Sequence, residues 1–250
     1  MSKSLREFYA NNPLMVSSPF GGVDGIRREL IDPLFAELGI RFDNRRVLDV
    51  GCGRGFLGDI VREQGGVYHG LDLVRSRQGF PLTLGEATAL PFANASFDAV
   101  SCVDVFEHIE HGGVAAREFR RVLRPGGFVF LSSPNYANVA GLVKWVYEAA
   151  GWYERNTWAP FRHWQPQEWE TMLTLGKVRR LFAAAGFGRM QCIAHGGEVG
   201  LGLCPWIDHP RMPEAIQFRL QRLFAKVGPP IGQAFPTTSL HGFWRMDVHD

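Results

Sequence analysis

The sequence predicts an α/β fold: a mostly parallel sheet, doubly wound so that helices cover both faces. Three observations carry that expectation. Apolar runs alternate with amphipathic stretches along the chain; the runs are nearly continuous, as strands buried on both faces require; and the first of them, RRVLDV, leads straight into Gly51, Gly53 and Gly55. A chain of 250 residues, 46% of them hydrophobic, buries such a core without disulfides or a structural metal.

The elements follow in order. Residues 24–38 set Ile26, Leu30, Leu34 and Leu38 at helical spacing, with Pro33 expected to bend the helix. RRVLDV is a strand ending at Gly51, residues 56–64 are a helix, and VYHGLDL at 67–73 is the second strand. After a loop, FDAVSCVDV at 97–105 reads as a buried strand. Residues 113–124 read as a helix that Pro125-Gly126-Gly127 terminates, and FVFLSS at 128–133 as the next strand. A helix at 178–187, a strand at MQCIAH and a last strand at 241–249 complete the plan. Two segments exceed it. Residues 135–175 hold Trp145, Trp152, Trp158, Trp164 and Trp169, five of the seven tryptophans; residues 199–233 hold a helix with Ile216, Leu220, Phe224 and Val227 on one face. One domain is expected, because no Pro/Ser/Gly-rich linker divides the chain.

Composition narrows the function. A net charge of +2 lacks the basic footprint of a nucleic-acid binder. Cys52, Cys102, Cys192 and Cys204 form no C-x-x-C pair, which disfavours a zinc, redox or secreted disulfide framework. No stretch is long and apolar enough for a signal peptide or a membrane span, so a cytoplasmic protein outside the membrane is expected.

The sharpest signal is VLDVGCGRGFLG at 47–58, a strand running through glycines into a helix, where the backbone turns tightly and a ligand approaches main-chain atoms. Gly53, Gly55 and Gly58 satisfy the dinucleotide spacing G-x-G-x-x-G, so an NAD(P)-dependent oxidoreductase is weighed. Three acids tilt the balance. Asp49 lies inside the strand, where a buried carboxylate needs a partner; Asp72 ends the next strand; Glu86 stands in GEATALPF at 85–92. A dinucleotide enzyme needs the acid after the loop and has no standing use for the other two.

In that order and spacing, VLDVGCGRGFLG, GLDL, GEATALPF, FDAVSCVDVFEHI and RVLRPGGFVFLSSPN resemble the motifs of class I S-adenosylmethionine-dependent methyltransferases. The nearest branch is that of quinone-biosynthesis O-methyltransferases and many natural-product methyltransferases. The resemblance spans about residues 45–135 and the FAAAGF segment. It implies a Rossmann-like sheet of seven strands with the last antiparallel, and a cofactor-binding core at 45–134. Around that core it implies an N-terminal helical lid at 1–44 and substrate-cap insertions at 135–175 and 199–233. It also implies that Gly51, Cys52 and Gly53 hold the methionine part, with Asp49 orienting the loop or the ammonium group. Asp72, followed by Leu73, would take the ribose hydroxyls; Glu86 and the Ala87 amide would meet adenine, where the family more often has Asp-Ala; Val103 and Asp104 would border the methyl group.

The implied reaction is methyl transfer from S-adenosylmethionine, leaving S-adenosylhomocysteine, to a small molecule, with a hydroxyl oxygen of an aromatic or hydrophobic metabolite favoured. A hydroxyl must lose its proton, a task for histidine. His108, just past the fourth strand, is the first candidate and His163 the second; His111 and His241 trail. Asp104, Glu107 and His108 are similar to a divalent-metal trio of the quinone enzymes, so Mg²⁺ is considered, but such strings also occur in relatives without metal and the ion is the less favoured reading. The tryptophans at 135–175 suit a flat acceptor, and Arg155 and Arg162 an anionic group on it. An N- or C-methylated product, a non-catalytic cofactor-binding module and a homodimer through the 213–227 helix stay open.

Overall fold

A computed structural model describes the chain over residues 21–22, 25–26, 28–75, 79–151, 170–194, 198–208 and 211–248. Seven strands form one sheet: β1 (Arg46–Val50), β2 (Val67–Asp72), β3 (Leu82–Leu84), β4 (Phe97–Val103), β5 (Leu123–Pro134), β6 (Phe187–Ala194) and β7 (His241–Val248). Their order across the sheet is β3-β2-β1-β4-β5-β7-β6. The first five pair in parallel, with Val47 opposite Tyr68 on one side and Ala99 on the other; β7 runs against both its neighbours. The fold is the doubly wound, mostly parallel sheet that the sequence predicts. A two-residue hairpin, Gly21–Gly22 against Gly25–Ile26, stands apart from it.

Helices α1 (Arg28–Glu37) and α2 (Phe56–Glu63) cover one face, α3 (Gly112–Val122) and α5 (Leu175–Ala184) the other. The pleat divides the core accordingly. In β5, Phe128 and Phe130 join Phe35, Ile60 and Val61, whereas Val129 and Leu131 join Phe119 and Phe182. All of these are buried, and each fully buried side chain of this size contributes about 1.5–3 kcal/mol. Helices α4 (Val139–Ala149), α6 (Val199–Leu203) and α7 (Glu214–Ala234) form an appendage beyond the carboxyl end of β5. Two starts are capped: Asn138 accepts from the Gly141 amide at 2.9 Å, and Thr174 from the Lys177 amide at 3.2 Å.

Several boundaries differ from expectation. β3, only Leu-Thr-Leu, is too short and too exposed to carry a period in the sequence. β5 begins at Leu123, which pairs with Phe97; the ladder is interrupted over 124–127, where Gly126 has φ of 70°, and resumes with Phe128 opposite Ala99. α7 runs through Pro229 and Pro230 to Ala234, past the expected stop near 227.

Candidate active site

Strand order fixes where a site can form. From β1 the chain winds outward to β2 and β3, then returns to place β4 on the other flank of β1. Connections leaving β1 and β4 therefore part, and a crevice opens at their carboxyl ends. The glycine loop lies there. Gly51, Gly53 and Gly55 have φ of 72°, 51° and 73°, a region that side chains other than glycine's rarely tolerate. Space is as restrictive as torsion: a Cβ on Gly51 would sit 2.4 Å from Cγ2 of Val105, and one on Gly55 2.0 Å from the Phe80 ring. Leu71 O accepts from the Gly51 and Cys52 amides at 2.8 and 3.2 Å, fastening the loop to β2.

The two acids beside the loop are held in different ways. Asp72 accepts the Gly53 amide at 2.8 Å through one carboxylate oxygen and the Val74 amide at 3.2 Å through the other. Asp49 is buried, and the Tyr68 hydroxyl donates to it at 2.7 Å. Burial pushes the Asp49 carboxyl up to about 7; the Tyr68 hydrogen bond opposes that rise and the charge of Asp72 adds to it. Neither carboxylate has a cationic side-chain partner among the described residues. After β3, Glu86 and Ala89 bridge a tight turn holding Ala87, and the Gly85 amide donates to Asp72 O at 2.9 Å. Leu73, Glu86 and Ala87 are all half-buried. The ten expected cofactor residues, from Asp49 to Asp104, thus gather along the ends of four adjacent strands.

Beyond β4 the chain becomes more polar. Half-buried Val103 ends the strand, and Asp104 follows with φ of 50°, held by Ser132: the Ser132 hydroxyl donates to Asp104 Oδ1 at 2.6 Å, and the Asp104 amide donates to Ser132 Oγ at 3.0 Å. A 3₁₀ turn, Phe106–His108, then carries a buried Glu107 and a half-buried His108, whose Nε2 lies 3.9 Å from Glu107 Oε1. Burial, aided by Asp104, holds the Glu107 carboxyl well above the usual range, and its Oε2 finds no hydrogen-bond partner among the described residues. Among those residues no three of His, Cys, Asp and Glu converge as metal ligands, so Asp104, Glu107 and His108 are not arranged to hold an ion.

His241, which with His111 trailed the two favoured histidines, stands opposite Pro134 at the carboxyl end of β5, and its Nδ1 meets Glu198 Oε2 at 3.0 Å. Burial works to lower its pKa, but Glu198 and the charges of Asp104 and Glu107 together outweigh burial and raise it to about 9. Buried Lys144 of α4 pairs with Glu170, which also accepts from the Tyr136 hydroxyl. An open cavity of about 620 Å³ lies along α4, lined by Tyr136, Asn138, Leu142, Trp145, Met172 and Thr238; no glycine-loop residue lines it. His163, Arg155, Arg162 and four of the five expected tryptophans, all but Trp145, fall outside the described residues. Sequence reasoning singled out none of Tyr68, Phe80, Val105, Ser132 and Glu198; Val105 and Ser132 lie within the quoted motifs, and the other three lie outside them.

With this geometry in hand, a family model described as a methyltransferase domain matches residues 23–189. A curated relative, the ubiquinone biosynthesis O-methyltransferase of Paracidovorax citrulli (strain AAC00-1), is 31% identical over 149 residues, covering 54% of this chain and 56% of the relative. The chain spans about half the length of the curated relatives it matches. Solved structures share the fold at low identity. A methyltransferase of Haloferax volcanii in complex with the Trm112 methyltransferase activator superposes with a TM-score of 0.62 at 16% identity, over 98% of each chain. An S-adenosylmethionine dependent methyltransferase of Mesorhizobium loti does so with a TM-score of 0.56 at 17% identity, over 90% of this chain and 100% of that one.

Proposed function

The chain belongs to the methyltransferase domain family, in its class I S-adenosylmethionine-dependent form, and from that premise we propose that it methylates a hydroxyl oxygen of a small aromatic or hydrophobic acceptor. One observation carries the reading: the glycine loop, Asp49 and Asp72 meet at the crevice between β1 and β4, and both acids lack a cationic side-chain partner among the described residues. That donor set fits a ligand bearing an ammonium, a sulfonium and a ribose diol. The loop and Asp49 hold the methionine end, Asp72 takes the ribose, Glu86 and the Ala87 amide meet adenine, and Val103 and Asp104 border the reacting carbon.

When bound, S-adenosylmethionine supplies a methyl group already activated on sulfur. The protein therefore has to align an acceptor in line with that bond, exclude water, and remove the hydroxyl proton. His108, on the turn after β4, is the residue proposed for the proton, and the cavity along α4 is proposed to receive the acceptor's apolar body. Mg²⁺ has no part in the reading, because the trio suggested for it does not converge. A second reading, an amine acceptor, is favoured by the buried Glu107 carboxyl, whose free Oε2 suits an N–H donor.

Calorimetric titration with S-adenosylhomocysteine tests the placement of the cofactor. Charge-assisted hydrogen bonds contribute about 1.5–3 kcal/mol, so Asp72→Ala should weaken binding at least tenfold. Equal affinity in the variant contradicts the assignment of the ribose.

A further inference from the structure

On the face away from the glycine loop, α3 and α5 lie side by side. Leu181 of α5 reaches to 3.6 Å from where a Cβ on Gly113 would sit, and Arg120 of α3 to 3.9 Å from that of Gly186, just past α5. Helical spacing sets Arg117 and Arg120 along one rim of the groove between them, and Lys177 and Arg180 along the other. None of the four has an ion pair or side-chain hydrogen bond among the described residues. The contrast is on the same helix: Arg121 is held by Glu118, and Arg124, just beyond it, by Asp98. Glu118 is the single acid on the two helices. The whole chain carries 27 Lys and Arg against 25 Asp and Glu, so this concentration is local and does not follow from a basic composition.

Helix stability does not explain it. Arg117 with Arg120, and Lys177 with Arg180, are like charges three residues apart, a spacing at which they repel. Lys177 also sits in the first turn of α5, the end where the helix dipole disfavours cations. Two adjacent helices thus break the same local rule on facing rims, which marks a surface kept for a partner. We propose that the α3–α5 groove docks an acidic segment of another protein.

The dimensions fit that occupant. From Lys177 to Arg120 the four cations span roughly 15 Å along the helix axes, the reach of about five extended residues. Arginine's planar fork pairs with carboxylates two bonds at a time. Neither helix carries a Trp or Tyr, and its Phe119 and Phe182 are buried, so the groove offers no platform on which nucleic-acid bases could stack. Gly112, at the head of α3, packs on Phe106, so a docked segment borders the turn that carries Glu107 and His108.

The test uses the full chain and a fluorescent oligoglutamate of about twenty residues, followed by anisotropy at low and raised salt. Binding should weaken at least tenfold as salt rises. The double variant Arg117→Glu/Arg180→Glu should lose at least tenfold, whereas Arg219→Glu/Arg222→Glu, an equal change of charge on exposed α7, should lose less than threefold. Should the groove reversal fail to fold, Lys177→Gln/Arg180→Gln replaces it, with the same loss expected in lesser degree. No binding at low salt, equal losses in both double variants, or tighter binding of a single-stranded RNA of matched charge overturns the proposal. Titration with S-adenosylhomocysteine, run on every variant, reports separately on the methyltransferase reading, since none of these residues borders its crevice.

Discussion

Asp49 shows how much one buried acid decides. Its carboxyl is pushed up to about 7, above its ordinary value of 3.8, so its contribution to stability is present below the ordinary carboxylate range and is lost as pH rises through about 7. A ligand ammonium placed beside it reverses the preference by favouring the ionised form. Affinity for S-adenosylhomocysteine should therefore rise between pH 6 and pH 8, with protons released on binding, and Asp49→Asn should flatten that profile; calorimetry in buffers of differing ionisation enthalpy checks both. His241 works the opposite way. Raised from 6.5 to about 9 by Glu198 with help from Asp104 and Glu107, it contributes stability that is full below 6.5 and disappears as pH rises through 9. Thermal unfolding should show the midpoint falling across that window, and Glu198→Gln should flatten the slope. Asp49 and Asp72 were legible in the sequence because each stands at a fixed distance from a glycine loop. Tyr68 and Glu198 were not: their partners lie 19 and 43 residues away, and only strand pairing brings them together.

At the scale of elements, α4 is tied to the chain that returns at Glu170 by a buried charge. Lys144 is 4% exposed, and Glu170→Ala removes its nearest carboxylate while Glu148 stays 3.9 Å away, so the variant should lose unfolding stability, but less than the about 3–5 kcal/mol of a buried charge left wholly unpaired. Replacing both partners with apolar residues of similar size should recover most of that loss in denaturant titrations; a double replacement as damaging as the single would contradict the pairing. The strands that face core on both sides, β1, β4 and β5, were readable as apolar runs, whereas β3 was not, since three residues on a sheet edge show no pattern. The length of α7 was misjudged for another reason. Paired prolines normally stop a helix, yet this one continues through Pro229 and Pro230 to Ala234.

For the whole molecule, the order β3-β2-β1-β4-β5-β7-β6 converts a linear list of motifs into a site, because it brings the ends of β1, β2, β3 and β4 to one crevice. The cofactor half of that site was written in contiguous motifs. The acceptor half we propose, by contrast, draws on the β4 turn and on the cavity along α4, whose lining comes from segments far apart in the chain, and no local spacing announces such a gathering. The claim on which the rest depends is that a nucleoside thioether lies across those four strand ends. A crystal structure with S-adenosylhomocysteine tests it most directly. The account predicts the ribose hydroxyls on Asp72, adenine beside Glu86 and Ala87, and sulfur directed toward Asp104. A crevice left empty at saturating ligand, or a ligand seated along α4 instead, would contradict it.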